Sequence, residues 1–206
     1  MLGINRDQPR FSIGATADVD LDQVRQTIET NVLGILATSQ AVIPGMVAQG
    51  GGRIVNVGSV VGFVSTPWAG IYSMTKAAVH SLSDTMRIEL KPFNIDVIVL
   101  APGCIKSNIY VSAGKSVIIP SDSLYRAAAH HIRARAAVSQ APKATPTDVF
   151  ARRAVAAVLR SHPPRYFTYG HLSLLFVVCQ WLPRAVTEFI LGRILGVGEI
   201  KQVKIE

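Results

Sequence analysis

The spacing of apolar positions along this chain changes several times, and each change marks a predicted element. Leu21, Val24, Ile28, Val32, Ile35, Leu36, Val42 and Ile43 recur at helical spacing, which predicts a helix capped by Asp20 and ending around Pro44 to Met46. Gly50-Gly51-Gly52 turns the chain into a short buried strand over 53–58, carried by Ile54, Val55 and Val57. From Ala69 the helical period returns over about 70–91, with Ala77, Ala78, Leu82, Met86 and Leu90 near its buried face. Ile95 to Leu100 reads as a second buried strand and ends in Ala101-Pro102-Gly103. Met1 to Thr16 is polar and without period, and reads as loop.

Farther on, residues 104–145 form a long basic excursion, helical from Ser123 to about Ala137. Its Lys106, Lys115, Arg126, Arg133 and Arg135 read either as a solvated face or as a substrate lid favouring an anionic head group. Thr145 reads as the cap, with Pro146 in the first turn, of a helix over 147–160. Pro163-Pro164 closes it, and Arg165 to Tyr169 reads as a last edge strand. Strands alternating with helices predict an α/β fold with a doubly wound parallel sheet. The organisation is one domain over 1–170, with its lid at about 104–145, and an apolar tail over 171–206.

The tail has two segments. Leu172 to Leu182 is nearly all apolar; after Pro183 come Val186, Phe189, Ile190, Ile194, Leu195 and Val197, with Arg184 and Arg193 among them. Each segment is shorter than the roughly 20 residues that span a bilayer. The tail therefore either lies in a membrane interface or is buried in protein as a lid or dimer surface. The net charge of +8 and pI near 9.9 favour the membrane surface.

The same charge suits phosphorylated substrates or nucleic acid, but no aromatic-basic RNA motif, Cys/His finger or basic helix-turn-helix supports the last. Cys104 and Cys179 are too few for a disulfide framework, which points to a reducing compartment. The five histidines, His130 and His131 adjacent among them, have no zinc spacing, so no metal is expected. The N-terminus has no apolar core of a signal peptide.

Chemistry concentrates between the two strands. Ser59 lies just past the carboxyl end of the first strand, where open α/β sheets place ligands. Tyr72 and Lys76 are four apart and share a helix face. A free phenol titrates near ~10. A cation about 5 Å away at an effective dielectric near ~20 stabilises the phenolate by roughly 3 kcal/mol, about two pKa units. Asn31 lies on the apolar stripe of the first helix, where an asparagine bonded to neighbouring backbone is the ordinary expectation. Ser73 and Lys76 also form Ser-x-x-Lys, but the Ser-Asp-Asn and Lys-Thr-Gly partners of penicillin-binding enzymes are missing. No Gly-x-Ser-x-Gly elbow surrounds Ser59, which argues against a lipase.

A serine after one strand, Tyr-x-x-x-Lys opening the next helix and Pro-Gly after the following strand together resemble the classical short-chain dehydrogenase/reductase family, over about Val19 to Arg160. The resemblance implies a Rossmann-like sheet and a hydride exchanged between nicotinamide and a carbonyl or alcohol. It implies Tyr72 as proton donor or acceptor and Ser59 as holder of the substrate oxygen. Lys76 would lower the tyrosine pKa and bond the nicotinamide ribose, and Asn31, in Thr30-Asn31-Val32, would hold a relay water. Pro102, Gly103 and Ile105 would sit against the nicotinamide, and Ser107 stands where the family usually has threonine. The two long helices would form the surfaces of a homo-oligomer.

Within the family, Asn56-Val57-Gly58-Ser59, Pro67 to Tyr72, Ile105-Lys106-Ser107-Asn108-Ile109 and the apolar tail look like the NADPH-dependent 1-acyldihydroxyacetone-phosphate reductases. That implies NADPH, a lipid-like ketone, and the cytoplasmic face of the endoplasmic reticulum or a lipid droplet; otherwise the location is cytoplasmic. Trp68 would line the acyl pocket or simply pack. The βα units that precede the first helix in the family, with the Gly-rich turn for the pyrophosphate, have no counterpart here: on the order of 80 to 90 residues. Gly50-Gly51-Gly52 runs from helix to strand, the wrong order for a phosphate loop. The residue that separates NAD from NADP belongs to those units. The expected alternative is a clipped, cofactor-deficient relative that binds only membrane or a homologue, with an exposed sheet edge.

Overall fold

The computed structural model describes residues 12–107 and 117–200. Asn108, Ile109, Lys115 and the first eleven residues, on which expectations above rest, lie outside the described residues. Three strands form one parallel sheet in the order β1 (Gly52–Val57), β2 (Ile95–Pro102) and β3 (Tyr166–Tyr169). The central strand β2 is the most apolar, and Val97, Ile98, Val99 and Ala101 are all buried, as a strand covered on both faces requires. The layout is the α/β parallel sheet that the strand and helix pattern predicts, Rossmann-like as the family resemblance implies.

Asp20 caps α1 (Leu21–Ile28): its carboxylate accepts the N–H groups of Asp22 and Gln23 at 2.8 and 3.0 Å. A π-helical turn, Glu29–Leu33, joins α1 without a break to α2 (Gly34–Ala48), which runs through Pro44 to Ala48, past the expected end. By length and composition this 28-residue run is long enough to cross a membrane. Its fully buried residues are nevertheless polar: Thr27, Asn31 and Ser39 face the body, whereas most of the expected apolar stripe is only half-buried and Leu21 and Val42 are exposed.

β1 shows the same one-sided cover. Ile54 and Asn56 point inward and are buried, while Val55 and Val57 on the other face are exposed. Among the described residues β1 pairs only with β2, so one edge of the sheet is open, as the sequence led us to expect.

α3 (Gly70–Glu89) buries Tyr72, Thr75, Lys76, Val79, His80 and Met86. Ala77, expected near the buried face, is exposed, because the sheet-facing stripe runs through 72, 76, 79 and 83. α4 (Ala129–Ala136) lies in the basic segment 104–145 and α5 (Thr147–Val158) follows it. Thr145 does not cap α5. Pro146 occupies the cap position, and the Thr145 hydroxyl instead accepts the His171 N–H at 3.1 Å, tying the end of the basic segment to the tail. Ser12, Ile13 and Ala15, at the end of the stretch expected to be loop, are buried, the two apolar ones in the main core, and Gly14 donates to the Trp68 carbonyl at 2.9 Å.

The tail forms α6 (Ser173–Cys179) and α7 (Arg184–Ile194), which fold back over the body. Trp68 Nε1 donates to the Leu195 carbonyl at 2.7 Å, and His131 Nε2 meets Glu199 Oε1 at 2.8 Å. Gly196 makes the second contact possible: its φ is +73°, and a Cβ there would lie 1.9 Å from the His131 ring.

Candidate active site

A cavity of about 980 Å³ opens at the carboxyl ends of β1 and β2. Ser59 enters it from the turn after β1, where Gly58 still donates to the Leu100 carbonyl at 2.8 Å and keeps the strand's direction. The Ser59 hydroxyl accepts the Val61 N–H at 3.4 Å at the start of a short 3-10 turn.

The Ser59 N–H donates to His80 Nε2 at 3.4 Å. His80 is a residue that sequence reasoning missed, although its spacing was visible: 72, 76 and 80 fall on one helix face. Two glycines make its slot, since a Cβ on Gly58 or Gly62 would lie 2.3 or 2.6 Å from the imidazole. Phe63 and Tyr166 close the slot, with ring centroids 4.8 and 5.3 Å from that of His80. Burial pushes the His80 pKa down to about 4, so the ring is neutral and can accept the serine amide.

Tyr72 and Lys76 reach the same cavity from α3. The Lys76 ammonium is 5.6 Å from the centre of the Tyr72 ring and donates to the Val57 carbonyl at 2.8 Å. Burial lowers the Lys76 pKa to about 8. The phenol behaves differently from the expectation drawn from spacing. Burial raises its pKa above the ordinary value; a hydrogen bond with Ser59 and the positive charge of Arg135 pull it partly back. Desolvation thus outweighs charge, and the cation that acts on the phenol is Arg135 of α4, while the lysine is directed to a backbone carbonyl.

Asn31 does not line the cavity. Its amide donates to Thr75 Oγ1 at 3.2 Å, and that hydroxyl donates to the Tyr72 carbonyl at 2.9 Å, so Asn31 braces the backbone under the tyrosine. The π-helical turn that carries it has no signature in the apolar spacing. Pro102, Gly103, Ile105 and Ser107 all line the cavity along the exit of β2. Trp68 sits one layer behind the wall, 5 % exposed and edge-on to Tyr125, in the left-handed region at φ +65°. The remaining wall is built by Arg135 and Val138 of the basic segment, by Thr66 ahead of α3, and by Leu175, Phe176 and Leu191 of the tail.

A family model described as short chain dehydrogenase matches residues 11–117. The chain belongs to the short-chain dehydrogenase family. Relatives of this short-chain dehydrogenase family member include the short-chain dehydrogenase RED1 of Pyricularia oryzae, 30% identical over 86% of this chain and 62% of that protein. The short-chain dehydrogenase ptmH of Penicillium ochrochloron is 32% identical over 87% of this chain and 66% of that protein. The chain therefore spans a little under two thirds of the length of these relatives. Among solved structures, a short-chain dehydrogenase from Streptomyces avermitilis matches with a TM-score of 0.73 at 23% identity, over 93% of this chain and 68% of that one. One from Burkholderia phymatum, in complex with NAD, matches at 0.65 and 23%, over 89% of this chain and 65% of that one. One from Sphingobium yanoikuyae, in complex with NADPH, matches at 0.61 and 22%, over 97% and 65%.

The residues at the exit of β2 and on α3 would fit the nicotinamide end of such a cofactor. Lys76, Tyr72 and Ser107, which carry an ammonium and two hydroxyls, line one cavity, and such donors suit ribose hydroxyls and a carboxamide. His130, His131 and Glu199 also come together, with donor atoms within 4.8 Å of one another, a group that could hold a metal ion and that sequence spacing did not show.

Proposed function

We propose that this chain carries the catalytic residues of an NAD(P)H-dependent oxidoreductase acting on a carbonyl or alcohol. The observation that carries the reading is the convergence of Ser59, Tyr72 and Lys76 on one cavity at the strand ends. Lys76, Tyr72, Pro102, Gly103, Ile105 and Ser107 would hold a nicotinamide cofactor, which when bound would supply or accept the hydride. Ser59 holds the carbonyl oxygen and the Tyr72 hydroxyl gives it a proton. The raised phenol pKa keeps that proton in place at neutral pH, which suits ketone reduction. Lys76 would hold the ribose and return a proton to Tyr72, as the family resemblance implies, and Asn31 holds the helix turn from which Tyr72 projects and, by the same resemblance, would hold a relay water. NADPH is our proposed cofactor; the related structures that carry NAD and NADPH support either nucleotide.

For the substrate we propose a lipid-type ketone such as 1-acyldihydroxyacetone phosphate. The tail residues Leu175, Phe176 and Leu191 supply an apolar wall, and Lys106 and Arg135 supply positive charge. The outer face of the same tail exposes Leu174, Val178, Trp181 and Phe189, which supports contact with a membrane at the endoplasmic reticulum or a lipid droplet. NADPH oxidation with this ketone tests the reaction: Tyr72→Phe should abolish turnover, and retained turnover removes Tyr72 from its role. Flotation with anionic liposomes tests the surface, and Trp181→Ser with Phe189→Ser should release the chain; unchanged partitioning ends the membrane reading. A second reading, a protein that acts by binding a homologue, is favoured by the open edge of β1 and the exposed Val55 and Val57. Its mark is a mixed complex with a homologue and no turnover.

A further inference from the structure

The end of the tail comes to rest on α4, where one carboxylate is met by two imidazoles. His131 Nε2 lies 2.8 Å from Glu199 Oε1, and His130 Nε2 lies 3.7 Å from the other carboxylate oxygen, Oε2. The first distance is that of a hydrogen bond; the second is too long for one. Neighbouring residues of a helix project about 100° apart and do not ordinarily face one target. Here both rings do, with centroids 3.9 Å apart. The backbone is shaped for the meeting. Gly196, buried and at φ +73°, leads the chain from α7 into a short 3-10 turn, Val197–Glu199, and a side chain at 196 would strike the His131 ring.

Two imidazole nitrogens and a carboxylate are ligands for a late divalent transition metal, because nitrogen donors favour Zn²⁺ and its neighbours over Mg²⁺ and Ca²⁺, which take oxygen. At Zn²⁺ bond lengths of about 2.0 to 2.2 Å, tetrahedral donors stand about 3.4 Å apart. The two histidine-to-carboxylate distances, 2.8 and 3.7 Å, fall on either side of that value. All three donors lie within 4.8 Å of one another, and His130 and Glu199 are exposed, so small side-chain rotations complete the set and leave a fourth position for water. The chain's net charge of +8 repels cations in general, so attraction at this place has to come from coordination.

We infer that His130, His131 and Glu199 form a binding site for a Zn²⁺-class divalent ion, and that the bound ion clasps the tail to α4. Each histidine gives the lone pair of Nε2, with its proton on Nδ1, and Glu199 gives a carboxylate oxygen. Two other contacts hold this end of the tail: the bond from Trp68 to the Leu195 carbonyl, and the packing of Ile200 against the main core. The tail supplies Leu191, Ile194 and Leu195 to the wall of the large cavity, and α4 supplies Arg135. A metal that joins the two elements therefore holds this wall together whatever the cavity binds, so the inference stands apart from the reductase reading.

Isothermal titration of the chelator-stripped chain with Zn²⁺, Mg²⁺ and Ca²⁺ tests the site. The wild type should bind one Zn²⁺ and neither of the other two ions. His130→Ala should weaken Zn²⁺ by at least about tenfold, and Glu199→Gln likewise, both with unchanged circular dichroism spectra. His130 is the sharper test, since a plain hydrogen-bonded pair of His131 and Glu199 would not need it. His162→Gln, which removes an exposed histidine elsewhere, should leave the affinity in place. The clasp is read by trypsin cleavage at Arg184 and Arg193, both exposed on α7. With free Zn²⁺ at about ten times Kd, linkage makes the detached tail about tenfold rarer, so cleavage should slow by about that factor and recover with EDTA. In Glu199→Gln it should not respond. Failure of the wild type to bind Zn²⁺, equal affinity in His130→Ala, or loss in His162→Gln would each overturn the site; Zn²⁺ bound by these residues with tail cleavage unchanged would overturn the clasp.

Discussion

The neutral imidazole under Ser59 makes the protein sensitive to acid in a way that can be calculated. Burial lowers the His80 pKa from 6.5 to about 4, with Asp84 opposing the shift and Lys76 adding to it. As pH falls below 6.5 the unfolded chain binds a proton at this position while the native state does not, so stability falls over that window. At about 1.4 kcal/mol per unit, a shift of this size is an upper limit of about 3 kcal/mol, and solvent screening brings the expected loss between pH 7 and pH 4.5 to about 2 kcal/mol. Above pH 6.5 the group adds no further dependence. A protonated ring would also oppose the Ser59 N–H with an N–H of its own, so the serine turn should loosen before the chain unfolds.

Urea unfolding of wild type and His80→Gln at pH 7 and 4.5 measures the effect. Glutamine can still accept the Ser59 amide but does not titrate. The variant should be weaker at pH 7 by about 1 to 2 kcal/mol, because the ring contacts with Phe63 and Tyr166 are lost. Its further loss on acidification should be smaller than that of the wild type by about 2 kcal/mol. Parallel losses in the two proteins would show that the imidazole is already charged or solvated in the native state.

Gly58→Ala should destabilise the chain by about 2 kcal/mol, since its Cβ would sit 2.3 Å from His80 Nε2, and His80→Ala should relieve most of that in a double-mutant cycle; additive effects would contradict the slot. Lys76→Met should raise stability at pH 7 by about 2 kcal/mol, because a lysine whose native pKa is about 8 pays desolvation below that pH, less the bond to Val57. That gain should shrink as pH rises from 8 toward 10.5, where the unfolded lysine also loses its proton, and a gain that persists at pH 10.5 would rule out charge burial as its cause. Thr75→Val breaks the link from Asn31 to the Tyr72 carbonyl and should cost about 1 to 2 kcal/mol in denaturant unfolding, with no loss showing that the link is incidental.

Local rules alone determined much of this protein. A short apolar run at Ile54 to Val57 and period 3.6 after Ala69 define β1 and α3, and a four-residue step puts Tyr72 and Lys76 on one face, because backbone geometry fixes that relation whatever surrounds it; that Val55 and Val57 are exposed was not legible. Ser59 at a strand end, with Pro-Gly after the next strand, made the family legible. What spacing could not supply is the balance of forces inside the folded site. Coulomb's law between residues 72 and 76 predicts an acidified tyrosine, yet the depth of burial reverses the sign for the phenol and directs the lysine to a carbonyl of β1. The approach of Arg135 to Thr66, the closure of the His80 slot by Tyr166 and the bond from Trp68 to the tail at Leu195 join residues 69, 86 and 127 apart in the chain, which only tertiary packing relates. Chain-local patterns encode which element forms. Desolvation and charge are properties of everything that comes to surround a residue, and those exist only once the chain has folded.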